Sequence, residues 1–394
     1  MKCLSSILLI AFLLSGSVIA KKCPFKDIGI PCCKSTNKVV ETNKYGNFGI
    51  ERGKLCGIID DSCWSLNYGY LCCTKSSTPV YKIDKYGKWG REKGRKCGIK
   101  QKVAQTLNEI TFDEGGSGPF KAVMSNESGL TDFTIYRPKD LEKAVAKTGS
   151  KLPVILFANG GCAKISVSYA NFLIEIASHG YVIAAVGPYA EKDTTDYGGM
   201  VLNFTDEMIE GMKVDADNLL DTALTYLEKE NKDKSSIFYK TLNTKNVAAM
   251  GQSCGGLQAL IISTKNDKRI KTTVALNSGA NSPGDLLDKL IVKDDLNKLT
   301  KPIIYVIGGE EDIAHYNAID DYERINHVPV VLACKSDAGH MGTYGEQYGG
   351  TFGKLTLKWL DYQLKKDKKA GKIFRDGKVG KDLEGWTIEK KNIK

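Results

Sequence analysis

From about residue 118 onward, short apolar runs alternate with amphipathic stretches. Residues 153–158 read PVILFA and residues 181–186 read YVIAAV; 246–250, 273–278, 302–307 and 329–334 are similar. Runs rich in β-branched residues with no polar face suit parallel strands covered on both sides. Helical spacing lies between them, around 167–178 and near 216–229. Ahead of these, 119–126 and 132–137 read as an antiparallel pair around the turn Glu127-Ser128-Gly129. The pattern predicts one α/β domain over 118–394, a mostly parallel sheet with helices on both faces. The basic end, 365–394, reads as a helix end and solvated tail, with Phe374 and Trp386 packing partly back.

The first quarter of the chain lacks this pattern. Its cysteines come twice: Cys23, Cys32, Cys33 and Cys56, then Cys63, Cys72, Cys73 and Cys97, at offsets of 40, 40, 40 and 41. The CC pair, a KYG turn, an aromatic-Gly and a final CGI recur, so this is one small module repeated, over 21–59 and 60–99, with 100–117 as linker. Modules of this size with few large apolar residues need crosslinks. Four cysteines give two bridges per module; excluding a strained bond between neighbours leaves two pairings open.

Residues 1–20 carry Lys2, an apolar run over 7–14 and small residues up to Ala20. They read as a secretory leader, too short to span a membrane, which needs ~20 apolar residues. The expected setting is extracellular, where disulfides persist. Residues 21–98 carry a net charge of +9, whereas 99–394 balance to zero. A basic, exported disulfide module points to an acidic protein partner, or simply to solubility, rather than to nucleic acid or a membrane. Asn126 and Asn203 open glycosylation sequons. No metal-ligand cluster, phosphate loop or nucleotide fingerprint occurs, so neither metal nor cofactor is expected.

Candidate chemistry sits after the apolar run 246–250, where the chain reads Gly251-Gln252-Ser253-Cys254-Gly255-Gly256 and then a helical LQALIIST. G-x-S-x-G between a strand and a helix is a nucleophile elbow, and in an α/β-hydrolase an acid and then a histidine follow in the chain. Run 302–307 leads into Gly309-Glu310-Glu311-Asp312, so Asp312 is the expected acid, with Glu310 and Glu311 as rivals. Of four histidines, His179 precedes the elbow, His315 follows the acid too closely, and His327 lies before its strand. His340 alone follows the next strand at the carboxyl edge. Ser253 would attack, His340 would carry its proton, and Asp312 would orient the imidazole.

An oxyanion intermediate needs backbone donors. Cys254, directly after the nucleophile, should give one. The loop Asn159-Gly160-Gly161-Cys162 should give the other, from Gly161 or Cys162. A Cys162–Cys254 disulfide would join these two loops and leave Cys334 as a free core thiol; three reduced thiols are the alternative.

The second repeat, with CW, GY, CC, D-x-x-G-x-WG-x-E and CGI in order, resembles the dockerin of anaerobic gut fungi, which attaches plant-wall enzymes to a cellulosome scaffold. That resemblance implies partner contacts through exposed Tyr70, Asp84 and Trp89. In the first copy Ile30, Asn43 and Phe48 take those places, so the second should dominate binding, with Phe48 as a lesser anchor. Core packing is the alternative role for Trp89 and Phe48. Segments GPFKAVM, TIYRP, PVILFANGGC, IASHGYVIAAVGPY, GQSCGG and DAGHMGTY resemble the chlorophyllase, dienelactone-hydrolase and secreted polyester-hydrolase branch of the α/β-hydrolases. Asn159 departs from the histidine common in that loop.

Together these features predict a secreted serine carboxylic-ester hydrolase carried on a cellulosome, removing acetyl or feruloyl groups from plant-wall polysaccharide. A cutin, polyester or lipid esterase, a peptidase and a catalytically silent binding subunit are the competing readings.

Overall fold

The computed structural model describes residues 25, 29–33, 40–43, 46–58, 65, 70, 73, 78–84, 87–92, 94–98, 108–193, 205–284 and 287–393. The expected leader 1–20, Cys23, Cys63, Cys72, Asn203 and the Asp84 side chain lie outside what is described. The chain forms two compact units, Met1–Thr106 and Leu107–Lys394.

In the first unit, β1 (Glu41–Asn43), β2 (Gly46–Glu51) and β3 (Lys54–Gly57) form an antiparallel sheet. The second copy repeats it as β4 (Val80–Asp84), β5 (Gly87–Glu92) and β6 (Arg95–Gly98). The registers correspond: Phe48 faces Gly57 and Gly49 faces Cys56, as Trp89 faces Gly98 and Gly90 faces Cys97. Disulfides Cys33–Cys56 and Cys73–Cys97 tie the second cysteine of each CC pair to the last strand, and Cys32 is also disulfide-bonded. Gly57 is required at its position, because a Cβ there would lie 2.1 Å from the Phe25 ring.

The anchors expected at Trp89 and Phe48 are corrected by their burial. Phe48 is 0% and Trp89 2% exposed. Phe48 meets Phe25 edge-on at 5.3 Å, and Trp89 meets Tyr70 at 5.1 Å with the Lys96 ammonium 3.5 Å above its ring. A module this small has few apolar side chains to bury, so its largest aromatic becomes its core. Tyr70 keeps an exposed face.

The second unit is built on a ten-stranded sheet. In chain order it contains β7 (Glu109–Ile110), β8 (Ala122–Asn126), β9 (Phe133–Pro138), α1 (Leu141–Thr148), β10 (Leu152–Ala158), α2 (Ala170–Ser178) and β11 (Val182–Val186). Then come α3 (Asp206–Asn218), a π turn (Leu219–Leu224), α4 (Thr225–Glu230), β12 (Leu242–Gln252), α5 (Cys254–Thr264) and β13 (Ile270–Leu276). The chain closes with β14 (Ile303–Ile307), α6 (His315–Arg324), β15 (Val330–Lys335), α7 (Gly350–Leu364), α8 (Lys372–Asp376) and β16 (Trp386–Lys391).

Strand order is β16-β15-β14-β13-β12-β10-β11-β9-β8-β7. Strands β10 to β15 run parallel, whereas β7, β8, β9 and β16 are antiparallel edges. Alternate residues of each central strand serve opposite faces. Ile155, Phe157, Ala248 and Met250 pack with Phe172 of α2 and Trp359 of α7. Val154, Leu156, Val247 and Ala249 pack with Leu141 of α1, Leu219 and Leu224 of the π turn, and Ile262 of α5. Fully apolar strands are the consequence of this double cover.

Three expectations change. Residues 108–117 of the expected linker belong to the domain, since β7 pairs with β8 and the Tyr348 N–H donates to the Asp113 carboxylate. The expected solvated tail is a strand: β16 adds to β15 from Val330–Lys391 to Lys335–Trp386. Lysines hide it in the sequence, because an edge strand with one wet face tolerates them. The helix expected near 216–229 begins at Asp206, capped by the Thr205 hydroxyl, and passes through the π turn. No helix among the described residues is long and apolar enough to cross a membrane.

Trp386 is 4% exposed and its ring lies 4.9 Å from Phe352. Trp386→Ala should therefore cost about 3–5 kcal/mol, as buried tryptophan truncations do. Urea unfolding of the full chain measures this, and an unchanged midpoint would mean that the strand contributes nothing.

Candidate active site

Sheet order reverses about β10, because β11 lies on one side of it and β12 on the other. Loops leaving two such strands diverge and open a crevice at their carboxyl ends. The chain places Asn159–Cys162 after β10 and Ser253 after β12 at this point.

Ser253 has φ 52° and ψ −121°, a backbone geometry that side chains seldom accept, and it heads α5. Neighbouring glycines make the turn possible. A Cβ on Gly251 would lie 2.1 Å from the Gly255 carbonyl oxygen, and one on Gly255 would lie 2.2 Å from that of Ala158. The Ser253 N–H donates to the Leu276 carbonyl at 2.9 Å, and the Ser278 hydroxyl donates to the Ser253 carbonyl at 2.8 Å.

Three expected side chains converge. His340 Nε2 lies 2.9 Å from Ser253 Oγ, and His340 Nδ1 lies 2.6 Å from Asp312 Oδ1. Asp312 comes from the loop after β14 and His340 from the loop after β15. These loops are held together by the Gly339 N–H, which donates to the Gly308 carbonyl at 2.8 Å. The rivals Glu310 and Glu311 point to solvent. His179 pairs with Glu175, His327 meets the Leu299 carbonyl, and His315 opens α6.

Asp312 is 2% exposed. Burial alone would raise its pKa, but His340, the Gly308 and Ala314 N–H groups and the Asn277 amide outweigh it and hold the carboxyl below its usual range. Asn277 went unsingled in the sequence. It directly follows β13, donates to Asp312 Oδ2 at 2.7 Å and to the Gly339 carbonyl at 3.1 Å, and accepts from the buried Tyr344 hydroxyl. Gln252 and Tyr169 were also missed. Gln252 donates to the His340 carbonyl at 3.0 Å and accepts from Tyr169 Oη at 2.9 Å. The available signal for Asn277 and Gln252 was their position, after a strand's carboxyl end or inside the elbow itself; Tyr169, in the turn before α2, carried none.

In the loop after β10, the Gly160 N–H donates to Tyr169 Oη at 3.0 Å. The Gly160 N–H is thereby occupied, in keeping with the expectation that named Gly161 or Cys162 rather than Gly160 as the donor from this loop. Gly161 (φ 61°) and Cys162 (φ 50°) both adopt left-handed backbone. Asn159, found where a histidine is common, is buried and donates to the carbonyls of Ala163 and Val186, each at 2.7 Å. A disulfide joins Cys162 to Cys254 with Cα atoms 5.2 Å apart, while Cys334 is free and half-buried. Among the described residues, the acidic and cysteine cluster close enough for a metal is Cys73, Glu92 and Cys97, and its sulfurs are consumed by a disulfide. Asn126 ends β8 half-buried, its side-chain oxygen accepting from the Asn108 N–H at 2.9 Å.

The family described as platelet-activating factor acetylhydrolase, isoform II, matches residues 133–198. It is a serine lipase or esterase type of hydrolase. The matched segment runs from β9 past the glycine loop and β11 and ends before Ser253. It is not one of the families named from sequence; the common ground is an α/β-hydrolase-like domain. A family described as a cellulose or protein binding domain matches residues 62–99, the second repeat. No curated protein matches the chain.

Asp312 titrates below its ordinary 3.8 when folded. Its charge therefore adds stability in full above 3.8, and that part is lost as pH falls through the lower folded value. The stability gap between the parent and Asp312→Asn should be widest near neutrality and narrow in acid below 3.8. Urea unfolding across pH checks this; a gap independent of pH would show that the charge is not held.

Proposed function

We propose that the second unit is a serine carboxylic-ester hydrolase with Ser253 as nucleophile, His340 as general base and Asp312 as the orienting acid. The observation that carries this reading is the unbroken hydrogen-bond chain from Ser253 Oγ through the imidazole to a buried carboxylate.

In the first step Ser253 Oγ bonds to the ester carbon while its proton passes to His340 Nε2. The carbonyl oxygen takes the negative charge and faces the N–H groups of Cys254 and of Gly161 or Cys162. Collapse breaks the bond to the alcohol oxygen, which takes the proton from Nε2. Water then attacks the acyl-serine, gives its proton to Nε2, and the carboxylic acid leaves as Ser253 Oγ is reprotonated. Asp312 keeps one tautomer in place and offsets the imidazolium charge without being protonated. The Cys162–Cys254 bridge holds the two donor loops at a set spacing.

The substrate is an acylated plant-wall polysaccharide, with acetyl ahead of feruloyl as the group removed. Two things support this: the matching family is named for acetyl hydrolysis, and the second repeat matches a cellulose or protein binding domain. The repeats are read as dockerin-type adaptors on an exported, leader-bearing chain, and their +9 charge suits an acidic scaffold. Tyr70 and Asp84 are the proposed partner contacts, with Trp89 and Phe48 supporting them from inside. Asn126 and Asn203 are the proposed glycan sites.

Ser253→Ala should lower kcat/KM on p-nitrophenyl acetate by about 10⁴-fold or more with the fold retained; equal rates would end the esterase reading. Tyr70→Ala should weaken retention on a scaffold column about tenfold, a typical loss for an interface aromatic. Undiminished retention would move the contact elsewhere.

A further inference from the structure

Ile313, Tyr316 and Met341 are 78%, 75% and 73% exposed. They are the three most exposed large hydrophobic side chains among the described residues, the next being Ile50 at 53%. Scattered single exposures need no explanation, but three on the segments that carry Asp312 and His340 do. Ile313 directly follows Asp312 and Met341 directly follows His340, and those two neighbours touch at 2.6 Å. Consecutive Cα atoms are ~3.8 Å apart, so both residues are immediate chain neighbours of this hydrogen-bonded pair. Tyr316 stands in the first turn of α6. Its ring meets the His315 ring edge-on at 5.1 Å, and that turn is fixed to Asp312 through the Ala314 N–H at 3.0 Å.

The chemistry of the proposed reaction says which part of a substrate lies here. His340 Nε2 must hand its proton to the leaving oxygen, so the alcohol half of the ester sits on the imidazole's side. The carbonyl oxygen of the acyl half faces the donor loops.

We propose that Ile313, Tyr316 and Met341 form a platform for the leaving alcohol, and that the group placed on it is the C–H face of a pyranose ring in an acylated polysaccharide. This rests on the serine-esterase reading of the same site. A sugar ring offers an apolar face and a rim of hydroxyls. The platform offers an aromatic and two flexible apolar side chains, with the exposed carboxylates of Glu310 and Glu311 beside them to accept hydroxyl protons. Those carboxylates disfavour a membrane surface, which carries negative charge and attracts lysine and arginine.

The test uses the full chain and the double variant Tyr316→Ala/Met341→Ala; the exposure of both positions keeps them out of the core. The ratio of kcat/KM on acetylated xylan to that on ethyl acetate, whose leaving alcohol is too small to cover the platform, should fall about tenfold, the size expected when two contacts that bury on binding are removed. In a Ser253→Ala background, binding of unacetylated xylo-oligosaccharide, measured by calorimetry, should weaken by a similar factor on adding Tyr316→Ala/Met341→Ala. An unchanged ratio together with unchanged oligosaccharide binding would overturn the platform. So would a fall confined to short-chain phosphatidylcholine micelles, which would make the patch a lipid contact. The binding arm needs no turnover: weakened binding combined with persistent hydrolysis in Ser253→Ala would sink the esterase reading and leave the platform standing.

Discussion

A negative charge kept in a place with almost no water is the constraint on which the site depends. Asp312 is buried, and an unpaired carboxylate there would take up a proton. Backbone amides of Gly308 and Ala314, the Asn277 amide and the His340 ring keep it ionised. Those donors come from the segments that follow β13, β14 and β15, so three neighbouring strands contribute to holding the charge. The sheet is thus more than a platform beneath the site, because its alignment sets the protonation state of the acid.

Reversal of strand order between β10 and β12 supplies the other half of the arrangement. It places the strained turn at Ser253 beside the glycine loop, and the Gly160–Tyr169–Gln252–His340 hydrogen bonds link that loop to the histidine. Each polar group that the missed residues bring inward finds a partner, which is the condition for burying it.

Most of this was legible in the chain, for reasons specific to each residue. Central strands announced themselves because double burial demands continuous apolar runs. Ser253, Asp312 and His340 could be named because the elbow requires glycines and the order of the partners follows. Asn277 could not be named: a single asparagine at a strand end looks like any turn residue until its neighbour's carboxylate is seen. β16 was masked by lysines on its wet face, and β7 is two residues long, with no periodicity to detect. Phe48 and Trp89 misled for the opposite reason. Large aromatics in a tiny module serve equally as core or as contact, and only the packing of Phe25, Tyr70 and Lys96 around them decides.

The bond between Cys162 and Cys254 turns the chain between them into a covalent ring of helices and strands, with one of its ends directly after Ser253. Helix α3 lies within that ring, and Met212 touches the Cys254 sulfur at 3.8 Å. Should α3 melt locally, its loss would loosen the arc without parting the ends, since a crosslink removes the separated states that a melted loop would otherwise visit. Breathing motions of the surrounding fold are thereby uncoupled from the spacing of the loops that follow β10 and β12.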